Sequence, residues 1–253
     1  AGHGAEGTKG AERQGRLLAL SGCGIALLAV AAAIIAGLGH RFGLWSFRTG
    51  FSVLRWGVYG GVAATLLGLA AILPAVRSRR PGTVVLALLG VAGGLTIVAI
   101  PVSWRHTAAS VPPIHDITTD IDHPPQFVAI LPLRAAMPNP AAYGGAEVAV
   151  KQRSAYPDIR TVILNVPREQ AFTRALDVAR VLGWQIVAAV PAEGRIEATD
   201  TTFWFGFTDD IVIRVTAADY RSLVDIRSVS REGRSDVGTN AKRIRAFVRK
   251  LTG

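Results

Sequence analysis

Three apolar stretches, Leu17–Leu38, Trp56–Val76 and Thr83–Val102, occupy the first 104 residues, and none follows them. Each runs about 20 residues, the length a helix rising about 1.5 Å per residue needs to cross the roughly 30 Å hydrocarbon core of a bilayer. From Arg105 to Gly253 the composition is that of a water-soluble domain. The sequence therefore predicts a domain anchored in a membrane. It names no activity.

The formal net charge of +10 is unevenly spread. Residues 1–104 carry 9 Lys and Arg against Glu6 and Glu12, a net +7. Residues 105–253 carry 19 against 16, a net +3. Most of the excess positive charge thus flanks the apolar stretches, where it meets lipid headgroups and sets orientation. This distribution gives no support to a nucleic-acid partner. Cys23 is the only cysteine and lies in the first stretch, which excludes an intramolecular disulfide and a CxxC site. The first stretch is too long for a typical signal-peptide core, and two more follow, so it reads as a retained span.

The domain organisation follows from these shifts. Residues 1–16 form a polar tail, Gly-rich and disordered over Ala1–Gly10, and residues 17–104 form three transmembrane helices. Residues 105–155 form an extended, Pro-rich segment, and residues 156–253 a soluble α+β domain. An N-terminus in the cytoplasm puts Lys9, Arg13, Arg16, Arg77, Arg79 and Arg80 on the cytoplasmic side. The opposite orientation puts Arg41, Arg48, Arg55 and Arg105 there. The count favours the first arrangement, with the C-terminal domain outside the cytoplasm; in a bacterium with two membranes, that is the periplasm. Trp45, Trp56 and Trp104 mark the ends of the stretches. Gly57/Gly61 and Gly90/Gly94 are GxxxG pairs that suit close helix packing, either within the chain or in a homodimer or with another membrane protein. No stretch has a charge at its centre, which argues against transport by these helices.

In the C-terminal part, Val111–Pro125 and Met137–Gly145 are punctuated by Pro and Gly and read as extended or turning chain. The core is expected to begin near Tyr156. Arg168–Leu182 carries Phe172, Ala175, Leu176 and Ala179 on one helical face and stops at Gly183. Strands are expected at 184–190, 195–205, 210–216 and 222–229, and a last helix at 240–251. The order helix, four antiparallel strands, helix is an α+β layer. Turning Ile211, Ile213, Val215, Val224 and Ile226 to the core pairs Val215 with Val224 and Ile213 with Ile226. Arg214 then faces Asp225 and Val212 faces Arg227 on a second, polar surface.

Three constellations are candidates for chemistry. Asp209 and Asp210 are adjacent on a strand, so their carboxylates point to opposite faces and suit arginine partners better than shared catalysis. His115, Asp116, Asp120, Asp122 and His123 form the densest set of potential ligands, with His115, Asp120 and His123 the candidate metal ligands. Their spacing matches no metal motif, and turn-capping explains such residues beside Pro-Pro pairs. No resident cofactor is expected. The loop Arg227–Asn240, rich in Arg, Ser and Gly, leads into the last helix, where backbone N–H groups and guanidinium forks suit an anion. Arg214, Arg227, Arg231, Arg234, Asn240 and Arg243 are the candidate ligand-binding residues; the competing reading is a solvated loop with Asp236 or Thr239 capping the helix.

Several segments resemble a known family. These are Ile114-His-Asp-Ile-Thr-Thr-Asp120, Thr202-Phe-Trp-Phe-Gly-Phe-Thr-Asp-Asp210, Val224-Asp-Ile-Arg-Ser-Val-Ser-Arg231 and Gly233-Arg-Ser-Asp-Val-Gly-Thr-Asn-Ala-Lys-Arg-Ile-Arg245. Over residues 110–251 the chain is similar to domain of unknown function 1499, in the manner of its membrane-bound bacterial members. The resemblance implies no activity and no site residues. The residues favour a non-catalytic envelope protein whose domain binds a ligand, lipid or protein partner. The alternatives are an envelope hydrolase or metal-dependent enzyme using His115, Asp116 and one of Asp209 or Asp210, and a subunit of a larger membrane complex.

Overall fold

The computed structural model describes residues 3–253, with side chains from Gly10 onward. The chain divides into two compact units: residues 1–105 with Phe203–Gly206, and residues 106–202 with 207–253. The class is α+β, as the sequence predicts.

The first unit is built from α1 (His3–Arg41), α2 (Phe47–Arg77) and α3 (Pro81–Ser110). All three are long and apolar enough to cross a membrane. Of the tail expected to be disordered over Ala1–Gly10, the first two residues lie outside the described ones; from His3 the backbone is helical and continuous with the first span, against that expectation. Ser46 caps α2 by accepting the Thr49 N–H, and Pro81 starts α3, where a missing N–H costs nothing. Helix α2 begins nine residues before Trp56, so Arg48 and Arg55 lie within it. Apolarity alone had marked only the part free of arginine.

Packing in this unit is inside out. Gly57, Gly61, Ala64, Gly68 and Ala71 of α2 are buried, while Leu66, Leu69 and Leu73 are exposed. A Cβ on Gly57 would meet the Ala29 carbonyl of α1 at 3.2 Å, and one on Gly61 the Gly94 carbonyl of α3 at 2.9 Å. A Cβ on Gly90 would meet the Cys23 amide at 3.1 Å. Both GxxxG pairs therefore serve contacts among the chain's own helices. Phe203–Gly206 completes this unit: Trp204 Nε1 donates to the Ala33 carbonyl at 3.1 Å, and its ring lies 5.3 Å from that of Trp104.

The second unit contains β1 (Asp116–Thr118), α4 (Leu131–Arg134), α5 (Gly145–Ala155), β2 (Val162–Leu164), α6 (Arg168–Val181), β3 (Gln185–Val190), β4 (Arg195–Thr201), β5 (Thr208–Ala218), β6 (Arg221–Ser230) and α7 (Thr239–Thr252). The strands form one antiparallel sheet ordered β1-β6-β5-β4-β3, with β2 also pairing β6. The register of β5 with β6 is the one the apolar alternation predicts: Val215 faces Val224, Ile213 faces Ile226, Arg214 faces Asp225 and Val212 faces Arg227.

Helices α6 and α7 cover one face of the sheet. Phe172, Ala175 and Ala179 from α6 and Ile244, Phe247 and Leu251 from α7 meet Ile196, Ile211, Ile213 and Ile226. The sheet has six strands rather than the expected four, because β1 and β2 are three residues each, too short to show an alternation. Ile114 and Ile117 belong to the core, which therefore starts well before Tyr156. β4 ends at Thr201, not 205, because the chain turns into Phe203–Gly206.

Candidate functional site

The sheet face away from α6 and α7 carries Glu197, Asp210, Val212, Arg214, Asp225, Arg227 and Val229, since side chains alternate along each strand. The sequence predicts an accessible polar surface here. Residues 119–144 lie over it instead, and Arg227, Asp210 and Glu197 are fully buried. Phe127 and Ile130 from the covering segment pack on Val212 and Val229. Buried charge is tolerable only when paired and hydrogen-bonded, and this face meets that condition almost completely.

Arg227 sends Nε to Asp116 Oδ1 at 2.9 Å and Nη2 to Asp116 Oδ2 at 2.8 Å. Its remaining donors reach the Pro125 and Ala141 carbonyls, and its guanidinium lies over the rings of Phe127 and Tyr143. Asp210 is held from two sides, by Arg134 Nη1 at 2.6 Å and by Arg231 through Nε and Nη2. Arg134 also donates to the carbonyls of Val229, Asn139, Pro140 and Ser230. Arg214 bridges Asp120 and Asp225, both at 2.8 Å, and reaches the His123 carbonyl. Glu197 accepts the N–H groups of Val128, Ala129 and Ile130 and pairs with Arg195.

A second network lies on the helix side. Arg243 reaches Asp200 at 2.8 Å and Asp209 at 2.7 Å, and donates to Ser228 and Asn240. Asn240 donates to the His115 carbonyl and to Ser230. Asp209 and Asp210 thus do point to opposite faces, each toward arginine. The first amides of α7 are already occupied: Asp236 accepts the N–H groups of Gly238 and Asn240, both at 2.8 Å. The anion at this helix N-terminus is the chain's own carboxylate; the N-cap position itself is held by Gly238, not by Asp236 or Thr239 as the sequence reading has it, and Asp236 accepts from two residues upstream.

Burial is the main electrostatic influence at several of these groups. It raises the Asp236 carboxyl above its usual range, against the hydrogen bonds from the Asn240 and Gly238 amides. It also pushes the Tyr143 phenol up to about 12. At Asp120 burial acts in the same direction, but the His123 amide and the Arg214 guanidinium outweigh it and hold the carboxyl below its usual range.

Of the six candidate ligand-binding residues, Arg214, Arg227, Arg231, Asn240 and Arg243 are held in these internal networks, and Arg234 is exposed. Arg227 in particular lies beneath the covering segment rather than on a surface. The candidate catalytic carboxylates Asp116 and Asp210 have both oxygens on guanidinium groups. His115 lies beside Ser230, whereas Asp120 and His123 gather around Arg214, so the three candidate metal ligands are not brought together. Among the described residues no group of three or more His, Cys, Asp and Glu is placed to hold a metal ion.

Arg134 and Glu197 escaped the sequence reading. Arg134 is the single charge in the stretch Pro124–Gly145, and Glu197 stands between the core residues Ile196 and Ala198. An isolated charge in apolar surroundings was the available signal. Two shallow clefts open on the helix side, one of about 310 Å³ beside Arg168, Phe172 and Pro191, the other of about 270 Å³ between Ile159, Arg160, Ile244 and Arg249.

A search of curated proteins returns no match. The sequence profile of a family described as "Protein of unknown function (DUF1499)" matches residues 116–251. The match opens at Asp116, the partner of Arg227, and closes at Leu251, the last core residue of α7. It takes in every strand of the sheet and both ionic networks, over more than half of the 253 residues, and the chain belongs to the DUF1499 family.

Proposed function

We propose that this chain is a membrane-anchored, non-catalytic binding module of a bacterial envelope, with residues 106–253 outside the cytoplasm. One observation carries the non-catalytic part: the carboxylates and arginines that would serve a reaction are consumed in pairing with one another and in holding residues 119–144 on the sheet. A carboxylate gripped by two guanidinium groups is a poor base, and a guanidinium already forked onto a carboxylate has few donors left for a substrate. The anchor rests on three long apolar helices and on their packing, with small residues inward and large aliphatic ones outward. That arrangement is unfavourable in water and suits hydrocarbon. The orientation rests on the charge count of the connecting loops.

Native mass spectrometry of the full chain in a neutral detergent, with elemental analysis of the same sample, tests this reading. A retained lipid or small anion without stoichiometric metal is the expected result. Hydrolysis of an envelope substrate that disappears in Asp210→Asn while the fold persists would establish the enzyme reading in its place.

A further inference from the structure

The segment that covers the ionic face has an outer surface of its own. From Pro124 to Gly145 it carries one charge, Arg134, and that side chain is turned inward. Val128, Leu131, Leu133 and Met137 are instead exposed, at 52%, 46%, 49% and 37%. Exposed apolar side chains this closely spaced, with no charge among them, are uncommon on a soluble surface and mark a contact. The backbone that displays them is held from beneath. Glu197 ties the amides of Val128, Ala129 and Ile130, and Arg134 reaches under the segment to Asp210 and to the carbonyls of Val229 and Ser230. The buried charges therefore fix the display of an apolar strip.

Chain continuity indicates what covers it. Arg134 grips β6 at Val229 and Ser230, and Val229 is the partner of Asp116, the first residue of β1. Only residues 111–115 separate Asp116 from the end of α3, a helix long and apolar enough to span a membrane. The apolar part of α3 ends at Val102, so the tether from it to Asp116 is residues 103–110, helical at about 1.5 Å each, and then five residues that reach no more than about 18 Å when fully extended. The strip thus stands at the strand end to which the membrane anchor is covalently attached, and it presents apolar side chains with no exposed charge to desolvate.

We propose that Val128, Leu131, Leu133 and Met137 enter the interfacial layer of the bilayer that holds the helices. This rests on the membrane-anchored reading above and names the lipid surface as the partner of this strip. Apolar faces that lie in this layer settle about 5–10 Å into the headgroup and acyl boundary.

The test uses the full chain, carrying Cys23→Ser, in nanodiscs of phosphatidylcholine and phosphatidylglycerol. An environment-sensitive fluorophore is attached at Leu133→Cys or Val128→Cys, and for comparison at Val181→Cys, an exposed apolar position on α6. The expected result is blue-shifted emission, with quenching by brominated lipid, at 133 and 128 but not at 181. Equal, water-like emission at all three positions overturns the proposal, as does a blue shift at 133 that brominated lipid leaves unquenched, the mark of a protein partner or a second copy. Leu133→Asp labelled at 128 should abolish the quenching there while the melting temperature holds, which separates loss of contact from loss of fold. Aqueous labels leave the binding-module reading intact if native spectra still show a retained ligand. Substrate turnover sinks that reading without touching the depth result.

Discussion

At the scale of single residues, the second sheet face shows what a buried charge requires. Arg227 is fully buried, and its fit depends on Asp116, two carbonyls and two aromatic rings. Removing one partner strands the other. Asp116→Asn or Arg227→Met is therefore expected to cost about 3–5 kcal/mol, while Arg227→Met combined with Asp116→Leu recovers most of the loss. A double-mutant cycle by chemical denaturation in neutral detergent checks this, and strictly additive losses would contradict the pairing. Tyr143 behaves oppositely: its hydroxyl is buried without a hydrogen-bond partner. Tyr143→Phe should leave stability unchanged or raise it by up to about 1 kcal/mol. Its pH dependence has a definite sign. Burial pushes the phenol up to about 12, whereas an unfolded tyrosine ionises near about 10. Between those values the folded chain holds a proton that the unfolded chain has released, so stability falls as pH rises. The melting temperature of Tyr143→Phe should accordingly gain on that of the wild type from pH 10 to pH 12. A gap that stays constant over that range refutes the assignment.

At the scale of elements, α7 is capped from outside itself. Gly238 stands at the N-cap with positive φ and no side chain, and Asp236 supplies the acceptor for two amides. Asp236→Ala should cost about 1 kcal/mol, and Asp236→Asn less, because the amide oxygen still accepts a hydrogen bond and no charge is buried. Equal melting temperatures for the Ala and Asn variants would show that the cap is idle. Asp236 was legible in the sequence as a capping group, though not the N-cap position, which Gly238 holds; α6, α7 and the β5–β6 register were legible because apolar residues recur there with a clear period over ten residues or more. β1 and β2 were not legible. Three residues carry no period, and both strands are recruited by the free edge of β6 rather than by their own pattern. Helix α5 follows a Gly-Gly pair that reads as a break, which hid its 11 residues. The ionic face failed for a related reason. Alternation shows which side chains share a face, as it did for Arg214 and Asp225, but not whether a distant Pro-rich segment will cover that face.

At the scale of the whole molecule, the proposed placement of the second unit outside the cytoplasm rests on one sequence property, the charge of the segments flanking the helices, and that property can be altered without touching either folded unit's core. In the proposed orientation, Lys9, Arg13, Arg16, Arg77, Arg79 and Arg80 lie in the cytoplasm, against Arg41, Arg48, Arg55 and Arg105 in the reverse one, a count of six to four. Arg79 and Arg80 stand in the α2–α3 connection and Arg77 is the last residue of α2 beside it, and short loops are where positive charge governs topology most strongly. Replacing Arg77, Arg79 and Arg80 with Gln takes the count from six to three, against an unchanged four. Arg80 pairs with Glu12 at 2.6 Å, but both side chains are well exposed, so losing that pair should shift stability by less than about 1 kcal/mol. Orientation should respond far more than folding. With the wild-type loop, a C-terminal alkaline phosphatase fusion should be active and a C-terminal fluorescent fusion dark. With the triple Gln loop, a substantial share of the chains should give the opposite pair of signals at equal expression. If the wild-type fusions instead show an inactive phosphatase and a bright reporter, the domain faces the cytoplasm and the envelope reading falls with it. If the triple Gln variant keeps the wild-type pattern, the first helix governs orientation through Lys9, Arg13 and Arg16, and the α2–α3 loop merely follows.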